Sequence, residues 1–84
     1  MATIDLVKRL LGETLQLGNR ADSFTETTPL LGAIPELDSM AVVTVIAALD
    51  ESFDIDIDDG DISAEVFDTV GALADFVDRK LADA

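Results

Sequence analysis

Three stretches of this chain repeat apolar residues at helical spacing, and no two stretches can pair as strands. The first helix is expected from about Thr3 to Leu17, where Ile4, Val7, Leu10, Leu11 and Leu15 form a stripe. Thr3 is placed to cap its start and Gly18-Asn19 to end it. The second runs from about Ser39 to Phe53, with Asp38 as the natural N-cap and Ser39 at the first helical position. At about 100° per residue, Val42, Val45, Ile46, Leu49 and Phe53 share the core face. Met40, Val43 and Ala47 fall on an adjacent flank, Ser39 lies at the border, and Asp50 and Glu51 rim the flank downstream.

The last helix is expected from about Val70 to Leu81, capped by Thr69 and striped by Leu73, Phe76, Val77 and Leu81. Arg79 and Lys80 stand near its C-terminal end, where cations complement the helix dipole. A short helical turn from about Asp61 to Phe67 turns Ile62, Val66 and Phe67 inward. Phe53 to Ile57 alternates like a strand but has no partner, so it reads as an extended link. The connection from Gly18 to Leu37 is broken by Pro29, Gly32 and Pro35. It also holds Phe24, Leu30, Leu31, Ile34 and Leu37, which imply that it packs on the helices. The expected fold is therefore an all-α four-helix bundle with three longer helices, one short helix and a long first loop, forming a single domain over 1–84.

Composition narrows the chemistry. The four aromatic residues are all Phe, so the core is filled by Leu, Ile, Val and Ala. The chain has no Cys, which excludes disulfides, thiolate metal sites and a cysteine nucleophile. It has no His, which removes the usual general base and the commonest metal ligand. An enzyme is not expected from what is left. The formal net charge is −13, and the five basic residues cannot form a phosphate-binding face, so nucleic acid is not an expected partner. Anionic membrane surfaces are disfavoured for the same reason, and no apolar run is long enough to span a bilayer. Charges at Asp5, Lys8 and Arg9 do not fit a signal peptide, so a cytoplasmic monomer is expected. From Ala21 to Asp78 there are fifteen acidic residues and no Lys or Arg, which favours a basic protein partner.

Ser39 is the residue with chemical potential. A helix N-terminus presents free backbone N–H groups and partial positive charge, both of which favour a phosphate on a side chain there. Taken alone, Asp38-Ser39-Met40 is too short to separate an attachment site from a serine tolerated in a first helical turn.

The wider pattern decides. Leu31-Gly32, then Asp38-Ser39-Met40, then Ala48-Leu49-Asp50-Glu51-Ser52-Phe53, then Ile55-Asp56-Ile57 and a final helix opening Thr69-Val70 follow one another along nearly the whole chain. In order and spacing this resembles the acyl carrier protein family, the group that includes peptidyl carrier domains. The resemblance implies that Ser39 carries phosphopantetheine through a phosphodiester, attached by a phosphopantetheinyl transferase. It implies that Asp38 assists that transferase near its metal ion, and that Met40, in place of the family's Leu, docks on partner enzymes. The thiol of the arm would carry acyl intermediates as thioesters between acyl-loading and acyl-transfer enzymes. Cargo of aminoacyl or peptidyl type is the alternative within the family.

Two departures from fatty-acid carriers stand out. The approach Ala33-Ile34-Pro35-Glu36-Leu37 is longer, and Ala41 and Thr44 stand where acids meet basic partner patches, with acid returning only at Asp50 and Glu51. A docking face of Met40, Val43, Ala47, Asp50 and Glu51 is thus more apolar than in the housekeeping form. That points to a specialised pathway such as polyketide or lipopeptide synthesis.

The competing motif is Asp54-Ile55-Asp56-Ile57-Asp58-Asp59-Gly60, with Glu65 at the twelfth position, which resembles an EF-hand loop. It fails at its sixth position, where Asp59 replaces the required Gly. An acidic surface loop with weak affinity for divalent ions is expected, and no dedicated metal site. An acidic calcium-binding or interaction module is the alternative outside the carrier family.

Overall fold

In the computed structural model, which describes residues 2–83 and all of their side chains but those of Asp59 and Asp83, helix α1 (Thr3–Thr14) packs on both other long helices. Helices α2 (Ser39–Phe53) and α3 (Val70–Asp83) meet each other only lightly. Val7 and Leu11 of α1, Val45 and Leu49 of α2, and Val70, Leu73 and Val77 of α3 are sealed from solvent. Three short 3-10 segments, Gly18–Ser23, Asp59–Asp61 and Ala64–Phe67, complete the described helices. This is the all-α bundle expected, with three long helices and its short helical part between α2 and α3 formed by 3-10 segments, and the described residues form no strand.

Several local expectations shift. Helix α1 stops at Thr14, three residues before Leu17. Gln16 takes a left-handed conformation at φ 57°, and the Leu17 N–H turns back onto the Gly12 carbonyl at 2.9 Å. The reversal lets Leu15 and Leu17 both bury, which a continued helix would not allow. Thr3 is the first helical residue instead of the cap. The cap position is Ala2, which offers no side-chain bond, and the Thr3 hydroxyl donates to the Asp78 carboxylate, tying α1 to α3. The expected short turn from Asp61 to Phe67 is two 3-10 pieces separated at Ile62-Ser63. Leu81 is 40% exposed, because the end of α3 runs past the elements it could pack on.

The link after α2 behaves as expected. Asp54 closes the helix in a left-handed conformation, with its N–H and that of Ile55 both bonded to the Asp50 carbonyl. Ile55 then buries and Ile57 half-buries while Asp54, Asp56 and Asp58 stay exposed.

The long first loop is ordered by backbone pairing. Leu30 and Leu31 N–H donate to the carbonyls of Asp68 and Phe67, and Val70 and Gly71 N–H donate to those of Thr28 and Glu26. Pro29 and Thr69 face each other as an isolated antiparallel bridge. Thr69 also caps α3, its hydroxyl accepting the Ala72 N–H at 3.0 Å. Leu30 and Ile34 bury beneath this seam, whereas Leu31 is 47% exposed, against the expectation that it packs.

The seam depends on Gly71. A Cβ there would lie 2.6 Å from the Glu26 carbonyl oxygen, which is backbone and cannot swing aside. Gly71→Ala is expected to destabilise the fold by about 1 to 3 kcal/mol, the usual cost of overpacking. Thermal unfolding followed by circular dichroism measures it, and an unchanged melting temperature would mean that the seam yields freely.

Candidate functional site

Helix α2 begins where its cap dictates. Asp38 sits in extended backbone at φ −93° and ψ −176°, and its Oδ1 accepts the Ala41 N–H at 2.8 Å. The Asp38 carbonyl accepts the first helical bond, from Val42 N–H at 2.9 Å. Ser39 is therefore the first helical residue, it is exposed, and its hydroxyl has no partner among the described residues. The N–H groups of Ser39 and Met40 precede any helical acceptor and add to the positive end of the dipole. The first turn of α2 contains no acid to oppose that field.

The approach to this helix is pegged from below and clamped from the side. Ile34 and Leu37 are buried, and the Leu37 N–H donates to the Ile34 carbonyl at 3.0 Å. Between them Glu36 receives both guanidinium arms of Arg20, the Nη2 bond being 3.1 Å long. Hydrogen bonding from Arg20 holds the Glu36 carboxyl below the usual carboxylate range, and hydrogen bonding to Glu36 raises the Arg20 guanidinium. Arg20 lies on the first 3-10 segment, whose Ala21 is buried against α1 at Gly12.

Beside Ser39, Met40 is 76% and Val43 65% exposed, and Ala47 is exposed below them. The Thr44 hydroxyl turns back to the Met40 carbonyl at 3.2 Å. Glu51 is exposed, but Asp50 is half-buried and its carboxylate accepts the Ile57 N–H at 3.4 Å. Ser39, Asp38, Met40, Val43 and Ala47 thus belong to one solvent-facing strip on the first half of α2, with Glu51 at its far end and Asp50 turned toward the link.

The acidic segment after α2 is organised by other contacts. Asp61 accepts the Asp58 N–H at 3.1 Å and also an ion pair from Lys80, which together hold its carboxyl below the usual range, the Lys80 hydrogen bond acting most strongly. Among the described residues no three acidic side chains converge on a point where an ion would sit. Two features around the site do not follow from the sequence. Arg20 is sixteen positions from Glu36, and nothing local marks such a pair. Leu31 has the pattern of a core residue because its neighbours Leu30 and Ile34 are buried, yet it faces solvent.

The pattern of the phosphopantetheine attachment site family matches residues 5–77. An acyl carrier protein from Desulforapulum autotrophicum is 38% identical over 76 residues, which span 88% of this chain and 91% of that protein. The solution structure of a holo acyl carrier protein from Nitrosomonas europaea superposes with a TM-score of 0.91 at 52% identity, over 98% of this chain and 99% of that one. A second holo acyl carrier protein, from Geobacter metallireducens, superposes with a TM-score of 0.76 at 28% identity, over 99% of this chain and 90% of that one.

The Arg20–Glu36 clamp has a pH signature. Because the Glu36 carboxyl is held below its unfolded value, its contribution is complete above the ordinary carboxylate pKa of about 4.3 and is lost as pH falls through the lower folded value. Glu36→Gln is expected to lower the melting temperature slightly at pH 7 and to leave it unchanged once Glu36 is protonated. A gap between wild type and variant that widened in acid would contradict this sign.

Proposed function

The chain belongs to the acyl carrier protein family, and we propose that Ser39 is the residue through which it carries phosphopantetheine. The supporting observation is the exposed Ser39 hydroxyl at the capped start of α2. The residues present suit the group: the Ser39 and Met40 N–H groups, which Asp38 leaves uncapped, and the helix dipole favour a phosphate at that spot. Asp38 commits Oδ1 to the helix and keeps Oδ2 for the transferase that attaches the arm. When bound, the arm supplies a thiol that holds an acyl group as a thioester.

The chain itself contributes presentation. Its helix start orients the hydroxyl, the ordered approach loop keeps it in reach, and the strip of Met40, Val43 and Ala47 receives partner enzymes. Glu51 marks the far end of that docking face, and Asp50 rims it while bracing the link through Ile57. We assign no catalysis to the chain, because its family members are carriers for enzymes that load and transfer acyl groups. No helix among the described residues is long and apolar enough to cross a membrane. With a net charge of −13 the chain is repelled from anionic surfaces, and we place it in the cytoplasm as a monomer. The apolar docking strip favours partners from a specialised pathway over those of housekeeping fatty-acid synthesis.

Incubation with coenzyme A and a phosphopantetheinyl transferase is expected to add the mass of one arm to the wild type and none to Ser39→Ala. Addition to the Ser39→Ala variant, or an unchanged wild type with several promiscuous transferases, would overturn the assignment.

Docking is expected to rest on apolar contact more than on charge. Burying a side chain the size of Val43 contributes about 1.5 to 3 kcal/mol, and an exposed ion pair about 0 to 1. Val43→Asp should therefore weaken binding to a cognate enzyme more than Glu51→Ala, with circular dichroism showing both variants folded. The reverse ranking in a binding titration would move the docking face elsewhere.

A further inference from the structure

We propose that the Arg20–Glu36 ion pair is a positioning device for arm attachment, holding the Ile34–Leu37 approach so that Asp38 and Ser39 are presented ready-made to the transferase. This rests on the Ser39 assignment and extends it to residues outside the attachment motif.

Glu36 is isolated from any cation in its own stretch. Every residue from Ala21 to Asp78 that carries a formal charge is acidic, so nothing within that stretch can neutralise it. Arg20 is the last cation before it and reaches across with both guanidinium arms, the geometry that makes an arginine–carboxylate pair directional. Arg20 is itself well founded. Its 3-10 segment is bonded from the Arg20 N–H to the Leu17 carbonyl and from the Ser23 hydroxyl to the Arg20 carbonyl, and Ala21 beside it is buried against α1.

The position of Glu36 gives the pair its consequence. Glu36 stands two residues before the cap and between the buried pegs Ile34 and Leu37, with Pro35 unable to donate a backbone bond. The turn's own backbone bonds are few: Ala33 and Ile34 N–H to the Leu30 carbonyl, and Leu37 N–H to the Ile34 carbonyl. Between the buried Ile34 and Leu37, the stretch with so few backbone bonds is the part most prone to open locally, and the Arg20 pair restrains it. Each opening frees Asp38 from extended backbone and releases Ala41 N–H, so the helix start frays at Ser39. A partner that binds the ordered form then has its apparent affinity reduced by the fraction of molecules that are ordered.

The alternative role for these charges is long-range steering, and the two differ in sign. Arg20→Gln makes the protein more acidic and Glu36→Gln less so. Steering toward a basic enzyme would therefore move their rates in opposite directions. A positioning clamp makes both slower.

The test compares wild type, Arg20→Gln, Glu36→Gln and the swapped double variant Arg20→Glu/Glu36→Arg, using coenzyme A and one transferase. Rates of arm addition come from intact mass, and exchange of the Leu37 amide from NMR. Both single variants are expected to lose roughly twofold to fivefold in kcat/KM, carried in KM, the size an exposed pair can supply. Both should exchange the Leu37 amide faster, and the swap should recover both readouts. Opposite shifts in the two singles, a swap that recovers neither readout, or singles that match wild type in rate and exchange would each overturn the clamp. A wild type that takes no arm, or a Ser39→Ala variant that does, would instead remove the Ser39 assignment, and the Leu37 exchange rates would still decide whether the pair orders the loop.

Discussion

One hydrogen bond, from the Ala41 N–H to the Asp38 carboxylate, fixes where α2 begins and through that the orientation of everything the helix carries. With Ser39 first in the helix, Val45 and Leu49 point inward and close the core against α1. The same register turns Met40, Val43 and Ala47 outward beside the serine. Starting the helix one residue later would turn these faces by about 100°, exposing core and burying the apolar flank beside Ser39. The cap therefore couples a stability requirement to the presentation of the Ser39 hydroxyl. It uses one oxygen of Asp38, Oδ1, on the Ala41 N–H.

Charge poses the chief difficulty for this fold, and its solution is local. Fifteen acids between Ala21 and Asp78 have no cation among them. Arg20 enters from one side to hold Glu36, and Lys80 enters from the other to hold Asp61. Each pair restrains an irregular segment, the approach to Ser39 in one case and the link before Ala64–Phe67 in the other. The backbone seam between residues 25–31 and 67–71 ties the long loop to the start of α3 without using any charge. The loops that would otherwise open under mutual repulsion are thereby anchored.

Much of this is legible in the sequence because it is local. Asp38 capping Ser39, the limits of α2, Thr69 capping α3 and the exposed flank of α2 all follow from signals within a few residues of one another. The misreadings are non-local or depend on the context at an end. Gln16, not Gly18, makes the first left-handed turn after α1, because two flanking leucines must both bury. Thr3 has the chemistry of a cap, yet its hydroxyl is claimed by Asp78 across the bundle. Leu81 continues the stripe of α3 past the point where any neighbour covers it. The seam leaves only one trace in the sequence, Gly71, since backbone bonds are made by any residue. The Arg20–Glu36 clamp leaves none, because its partners meet only once the loop has folded.

The claim that the start of α2 receives the phosphate is tested most directly by backbone amide shifts. Spectra of the protein before and after arm attachment should differ most at the Ser39 and Met40 amides, whose N–H groups point past the helix start, with the core of α1 and α3 unmoved. If those two amides keep their positions while the largest changes fall in another element, the α2 N-terminus does not hold the phosphate and Ser39 is not the attachment point.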